Sequence, residues 1–543
     1  MKISIGFSGA AGTGVNTSGM LLGQLLSSKG YSILGDIEYA SIIKGDNNNF
    51  FLYISDQTPF ITQSIDHFFP FDEYSVTKNS KLYNLKKIHL LKDTTIKYKN
   101  VYFFGAAMKL LGMAREEGEK LLATQFTGDV LTTNIECLIQ GYNYFKTSKY
   151  DLSQNIGPAK SFVFGNEMVA TGAIAVGMDF YAAYPMTPAS SLIDVIIEHK
   201  DVTFFQGEDE ISVSMTMLGA KFAGKRAMCG TSGGGFALMT ESIAFSNQAE
   251  LGGVYVLSQR DGPSTGTPTY TSQGDLNFAL NASFGDTQPI VLAPSTFEEG
   301  YNLIGKALNR SDIYQHPVIF LIDKQLSESY MSLDKTTLTS YPINRGKLQT
   351  NGSEGFKRYE LTNDGISPVT LPGTENGEFI ATSYEHDESG STNEDPIIKK
   401  QQQDKRFKKM ETFIQQEFTE DFYGYEIINP EAKEFFVTFG VNRYVLEDFI
   451  RTKGARNKAQ GKNSKYGLIV IKCLQPLDMR FKEFLDTHVK QIKKLIFVEM
   501  NTSGQLQELI TNKCWLNDKK WNNKIMNIRK YTLYPIFAED IIF

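Results

Sequence analysis

Hydrophobic and polar positions follow a rhythm that restarts three times along this chain. Near the N-terminus, Ile3, Ile5 and Phe7 alternate with Ser4 and Gly6, the period-two pattern of a strand. Gly9, Gly12 and Gly14 interrupt it. Met20, Leu21, Leu22, Leu25 and Leu26 then recur at helical spacing, which predicts a helix from Val15 to Ser28. A second strand is predicted from Tyr31 to Ile37, with Asp36 near its end and Glu38 just beyond. This β–α–β order predicts a parallel sheet.

A polar break at Thr147 to Lys160 contains Gly157 and Pro158. Beyond it, strands are predicted at 179–183, 202–205, 226–229, 254–257, 290–293 and 318–322. Helices are predicted at 169–175, 190–199, 211–222 and within 233–248. Alternation of this kind predicts a second doubly wound α/β unit. Periodicity fades from about Ser329 to Glu431. Within that connector, Lys399 to Lys409 is a charge run that reads as a solvated helix face. A third α/β pattern follows, with strands at 435–439, 467–471 and 495–499 and a helix at 441–452. The predicted fold class is therefore α/β with several doubly wound domains. The expected boundaries are 1–150, 158–330, a connector at 331–430, and 431–543.

Composition narrows the function classes. The chain has 543 residues, too many for one core, and a net charge of −6, which gives no reason to expect nucleic acid. Cys137, Cys229, Cys473 and Cys514 stand far apart, so CxxC-type metal or cluster ligation by this chain is not expected. Four cysteines in so long a chain suggest the reducing cytoplasm. No apolar run reaches the ~18–20 residues of a membrane span, and the first residues read as a strand rather than a signal peptide.

Four short runs could carry chemistry. In Tyr184, Pro185, Met186, Thr187 and Pro188, two prolines preset the backbone after a predicted strand, and the Thr187 hydroxyl could donate to a carboxylate. A plain proline turn fits equally well. Glu208, Asp209 and Glu210 precede a helix, so at least one acid is read as a cap, while another could be desolvated for proton transfer. Thr231, Ser232 and three glycines could accept a close-lying anion or be a mobile turn. Arg260 could grip a carboxylate with two parallel hydrogen bonds or form a structural ion pair. Ser264, Thr265, Thr267 and Thr269 follow it. The Gly12-x-Gly14-x-x-Thr17 run lacks the last glycine of a dinucleotide fingerprint, so a tight strand-to-helix turn is the default and NAD binding the lesser reading.

Taken in order, these motifs are more specific than any one alone. Gly165, Asn166 and Glu167 come first, then the proline loop, Gly207 to Glu210, Thr231 to Phe236, Gln259 to Gly266, and Pro268 with Thr269. The connector runs at Lys357 to Glu360 and Glu385 to Glu388, and the Glu499, Asn501 and Gly504 run, add to them. Together they resemble the α subunit of 2-oxoacid:ferredoxin oxidoreductases. The N-terminal segment, with Glu38, Tyr39 and Lys44, resembles that family's γ subunit, so the whole looks like a γ–α fusion. The resemblance implies a γ-type Rossmann-like domain, a thiamine-diphosphate pyrimidine-type domain and a transketolase-C-like domain. It implies thiamine diphosphate shared with a separate β subunit that carries Mg²⁺ and a [4Fe-4S] cluster. Coenzyme A is the implied co-substrate and ferredoxin the acceptor, in an (αβ)₂ assembly. The 2-oxo acid favoured is 2-oxoglutarate.

The resemblance also implies residue roles. Glu210 is the carboxylate on the cofactor's pyrimidine nitrogen, with Glu208 as fallback. Thr187, Arg260 and Thr269 hold the substrate. Tyr184, Pro185, Glu208, Thr231 and Ser232 line the cofactor, and Gly9, Gly12, Gly14 and Lys44 lie toward coenzyme A. No metal site is implied in this chain. Three positions depart from the usual pattern: Met186 stands for Ile, Gly234 for Pro, and Lys44-Gly45-Asp46 for Arg-Gly-Gly. Two readings from other classes stay open at this point: a non-catalytic nucleotide-binding scaffold, and an NAD-dependent dehydrogenase using Gly9 to Gly14 and Asp36.

Overall fold

The computed structural model describes residues 1–40, 45–91, 95–419, 422–459, 465–521 and 523–541. The predicted N-terminal unit forms as strand Lys2–Ala10, helix Val15–Ser28 and strand Ser32–Glu38. Its sheet is mixed rather than parallel. Strand Asn47–Ser55 lies between Lys2–Ala10 and Ser32–Glu38, antiparallel to both. The reason is the short connection after Glu38, which can reverse the chain but cannot carry a crossover helix. It opens with three asparagines and then runs apolar without alternation from Phe50 to Ile54, and it is buried along almost its whole length. His67–Pro70 pairs parallel with Lys2–Ala10 on the outer side. Two later strands, Tyr330–Leu333 and Ser161–Phe164, complete the same sheet by antiparallel pairing. The first two segments of the chain thus share a sheet.

The central sheet is the doubly wound one. Its path runs Cys473–Gln475, Ile290–Leu292, Pro317–Asp323, Gly253–Asp261, Ala227–Thr231, Phe180–Ala183, Thr203–Gln206. From Ile290–Leu292 onward every pairing along this path is parallel. These strands are almost wholly apolar and helices cover them, as parallel sheets require. The C-terminal sheet runs Tyr425–Ile428, Tyr466–Ile471, Glu434–Thr438, Lys494–Glu499, Ile525–Arg529, with only the first strand antiparallel. Glu499 ends its strand and caps the next helix, its carboxylate accepting from the N–H groups of Leu506 at 2.7 Å and Gln507 at 3.0 Å. Asp323 knits the units together. It caps Lys324–Glu328 through Leu326 N at 2.9 Å and also accepts from Val441 N at 3.1 Å.

The connector holds one long helix, Pro396–Glu417, capped by Asp395 and opened by Pro396. The charge run on it is not a solvated face. Lys405, Arg406 and Lys409 are buried, Lys408 is half-buried, and Lys399 and Lys400 stay exposed. Lys405 meets Glu250 at 2.7 Å, Lys409 meets the same carboxylate, and Arg406 forks onto Glu385 at 2.7 and 3.0 Å. Charge counting alone could not reveal this, because the partner carboxylate Glu250 lies far away in sequence.

This latch gives the connector a pH signature. Burial alone would raise Glu385, but hydrogen bonds from Arg406 and Lys399 outweigh it and hold the carboxyl at about 2, below its ordinary 4.5. A carboxyl held lower in the folded chain than in the unfolded one stabilises fully above the unfolded value and loses that contribution as pH falls. Glu385→Gln should therefore lower thermal stability at pH 7 and flatten its loss between about pH 4.5 and 2. A melting series across that range checks it, and an unchanged slope would refute the latch.

Candidate active site

Three neighbouring parallel strands end at one edge of the central sheet. Ala183 lies opposite Gly230, and Gly230 opposite Val256, so the segments that follow emerge side by side. They are the proline loop, the Thr231–Gly235 loop and the Arg260 hairpin. Ligands of open α/β sheets bind at this carboxyl edge.

The three acids part company here. Asp209 is the helix cap, its carboxylate accepting from Ser212 N at 2.8 Å. Glu208 is exposed. Glu210 opens helix Glu210–Phe222 and is only 4% exposed, with its Oε1 lacking any hydrogen-bond partner among the described residues. A buried polar oxygen left unpaired costs about 1–3 kcal/mol, and more if charged, so its retention asks for a ligand. The Thr231–Gly235 loop presses against it. A Cβ added at Gly235 would fall 2.2 Å from Thr231 Oγ1 and 2.4 Å from Glu210 Oε1. Only glycine leaves that cradle open. Ser232 is fully buried, and its Oγ has no partner among the described residues.

Arg260 does not reach out from a loose loop. It sits near the end of strand Gly253–Asp261, which folds back as the hairpin strand Thr267–Thr271. Its Nη1 donates to the Thr187 carbonyl at 2.7 Å, tying the hairpin to the proline loop. Burial lowers the guanidinium from its usual value, and Asp275, Tyr39 and Glu210 oppose that shift. Thr269 is buried between the two hairpin pairings, where the register shifts beside Arg260 and Asp261. Tyr184 and Pro185 are exposed at the loop's outer edge. Thr231 Oγ1 lies 3.8 Å from Met186 Sδ.

Three residues belong here that sequence reasoning did not assign. Tyr39 enters from the N-terminal unit. Its hydroxyl donates to Glu328 at 2.7 Å and also meets the Thr187 side chain. Asp275 lies against Gly233 and Arg260, and burial pushes its carboxyl up to about 6 despite Arg260. Asn166 ties down the proline loop through Pro188 O at 3.0 Å, with its Oδ1 unpartnered among the described residues. Tyr39 and Asn166 stood inside recognisable motifs; nothing local marked Asp275.

The glycine loop lies apart from this cluster. Gly12 and Gly14 both have left-handed backbone, with φ of 82° and 81°. A Cβ on Gly9 would strike Phe71, and one on Gly14 would strike Asn100. A cavity of about 580 Å³ opens between Ala11 and Asn16 on this side and Tyr39, Phe164, Glu328 and Tyr330 on the other. Lys44 lies outside the described residues. Asp36 faces inward, 4% exposed, and accepts from Ser329 Oγ at 3.3 Å. Burial lifts its carboxyl to about 7 against the pull of Lys324. No ribose can reach it, which removes the residue on which the dehydrogenase reading depended.

Among the described residues, no helix is long and apolar enough to cross a membrane, and no group of three or more His, Cys, Asp or Glu side chains could hold a metal ion.

Comparison with known proteins agrees with this architecture. Residues 171–405 match a family model described as pyruvate flavodoxin/ferredoxin oxidoreductase, thiamine diP-binding. The chain is 28% identical to the 2-oxoacid:ferredoxin oxidoreductase subunit alpha of a Sulfolobus species, over 96% of this chain and 95% of that one. It is 30% identical to the 2-oxoglutarate synthase subunit KorA of Methanocaldococcus jannaschii, over 65% of this chain and 91% of that one. A solved structure of 2-oxoglutarate:ferredoxin oxidoreductase from Magnetococcus marinus, with 2-oxoglutarate, coenzyme A and succinyl-CoA bound, superposes with a TM-score of 0.85. It is 26% identical and covers 99% of this chain and 98% of that one. Shared identity over nearly the whole of such relatives, on a shared fold, shows that the chain belongs to the 2-oxoacid:ferredoxin oxidoreductases, as an α subunit.

Proposed function

We propose that this chain is the γ–α fused half of an enzyme that oxidatively decarboxylates 2-oxoglutarate to its coenzyme A thioester, releasing CO₂ and passing electrons to ferredoxin. The observation that carries the reading is the buried, unpartnered Glu210 Oε1 in a cradle kept open by Gly235. Such an acceptor fits the ring N–H of an aminopyrimidine, and the buried Ser232 Oγ, unpartnered among the described residues, is a second polar group in the adjoining loop. Thiamine diphosphate, when bound, supplies a nucleophilic carbon for the 2-oxo acid's carbonyl and a sink for the electrons left by CO₂. This chain's part is to hold the pyrimidine side and orient the acid. Glu210 takes and returns a proton at the pyrimidine nitrogen. Arg260, Thr187 and Thr269 hold the substrate's oxygens, with Arg260 fixed by the Thr187 carbonyl. Tyr184 and Pro185 form the outer wall, and the exposed Glu208 stays at the rim.

The partner is a β subunit that supplies the Mg²⁺–diphosphate side and a [4Fe-4S] cluster, in an (αβ)₂ assembly in the cytoplasm. Support comes from the surface beside the site. Ile211 and Met215 lie one turn apart next to Glu210, and Leu238 ends the helix after the glycine cradle; all three are exposed. The four cysteines are buried singly and far apart in sequence. Coenzyme A fits the cavity between the Gly9–Gly14 loop and Tyr39, which leads from the N-terminal unit toward Thr187.

The test is a panel of 2-oxoglutarate, pyruvate and branched 2-oxo acids, assayed for coenzyme A-dependent dye reduction with and without the β subunit. The expected result is activity only with the pair, with kcat/KM highest for 2-oxoglutarate. A preference for pyruvate or a branched acid would replace the substrate while leaving the family intact.

A further inference from the structure

Behind the central sheet, away from the active site, the chain buries far more positive than negative charge. Asp312 is contacted by Lys221, Arg226 and Arg345. Glu250, fully buried, is contacted by Lys405 and Lys409, and its backbone carbonyl accepts from Arg358 Nη2 at 2.6 Å. Two carboxylates therefore face six cations among the described residues. The nearby rim acids do not redress this, because each is matched by its own cation: Glu385 by Arg406 and Lys399, Glu388 by Lys357, Asp179 by Lys225. Burying like charges without compensation is strongly unfavourable, and such groups are retained only when something pairs with them.

The two clusters meet at a small cavity of about 50 Å³, lined by Lys221, Glu250, Asp312, Arg345 and Arg358. Arg358 is 2% exposed, and its Nη1 has no hydrogen-bond partner among the described residues. Phe222, Leu348, Leu371 and Phe379 form its apolar walls. The volume exceeds that of one water and suits a spherical ion better than an organic acid. Six cations against two carboxylates select an anion over a cation, although Gln315 Oε1 in the same lining lacks a hydrogen-bond partner among the described residues.

We propose that this cavity is a binding site for a small inorganic anion of halide size, held by Arg358, Arg345 and Lys221. The anion neutralises the junction where the connector, residues 331–430, is clamped onto the central unit. Burial draws Lys409 down to about 7 although Glu250 opposes the shift, and Lys405 and Arg358 add to it. The inference does not depend on the proposed substrate.

The test is thermal unfolding of the full chain in gluconate, chloride and bromide salts at matched ionic strength. Halide should raise Tm saturably, by about 2 °C or more, relative to gluconate. Arg345→Gln should abolish that difference. Arg345 is the most accessible of the lining cations, so the variant is chosen to keep the fold. Should it fail to fold, bromide-soaked crystals of the unaltered chain decide the matter by an anomalous peak in the cavity beside Arg358. Equal Tm in all three salts, a halide effect that survives in Arg345→Gln, or a cavity without bromide would each overturn the proposal.

Discussion

Glu210→Gln is expected to leave the chain folded and able to bind its 2-oxo acid while turnover falls at least ~10²-fold, the lower end for loss of an acid–base group. The amide keeps the size of the side chain, so the Gly235 cradle is undisturbed. What it loses is the negative charge and the ability to take and return a proton. Exchange of the cofactor's C2 proton, followed by NMR in the reconstituted pair, should slow in step with turnover. Glu208→Gln serves as the control and should change neither, since Glu208 is exposed and Glu210 is buried in the site. If exchange slows only in Glu208→Gln, the roles of the two acids are reversed.

Arg260→Ala should lower kcat/KM for 2-oxo acids by about tenfold to a hundredfold, from loss of a charge-assisted hydrogen bond worth roughly 1.5–3 kcal/mol. The structure adds a second effect. Arg260 Nη1 also holds the Thr187 carbonyl, so its removal frees the proline loop on which Thr187 sits. Arg260→Lys separates the two effects. Lysine keeps the charge but not the planar fork, and it should recover only part of the loss. Cofactor affinity, read by titration with the β subunit present, should change little in either variant. Unchanged kcat/KM across the substrate panel would reduce Arg260 to a structural tie between hairpin and loop.

Legibility in the sequence followed the range of the interactions involved. Helix Val15–Ser28 was readable because its leucines repeat on one face. The central strands were readable because short apolar runs alternate with helical spacing. Strand Asn47–Ser55 was not, because burial on both faces erased its alternation, and the predicted parallel sheet became mixed as a result. The Lys399–Lys409 run misled for a related reason. Helical wheel and charge were right, but the carboxylates that bury Lys405, Arg406 and Lys409 come from Glu250 and Glu385. Long-range charge pairing leaves no local trace.

The candidate site divides in the same way. The amino-acid sequence by itself determined the family, the order of α/β units, and which short runs break the strands, because turns, caps and periodicity depend on neighbours within a few residues. Only the tertiary structure decided among the acids at 208–210, since desolvation depends on what packs above a side chain. It alone brought Tyr39 against both Thr187 and Glu328, the latter nearly 290 residues away along the chain. It also turned Arg260 from a free cation into a tethered one. Burial, pairing and strand order are collective properties of the folded chain, and they decide which of many chemically able residues meet at one sheet edge.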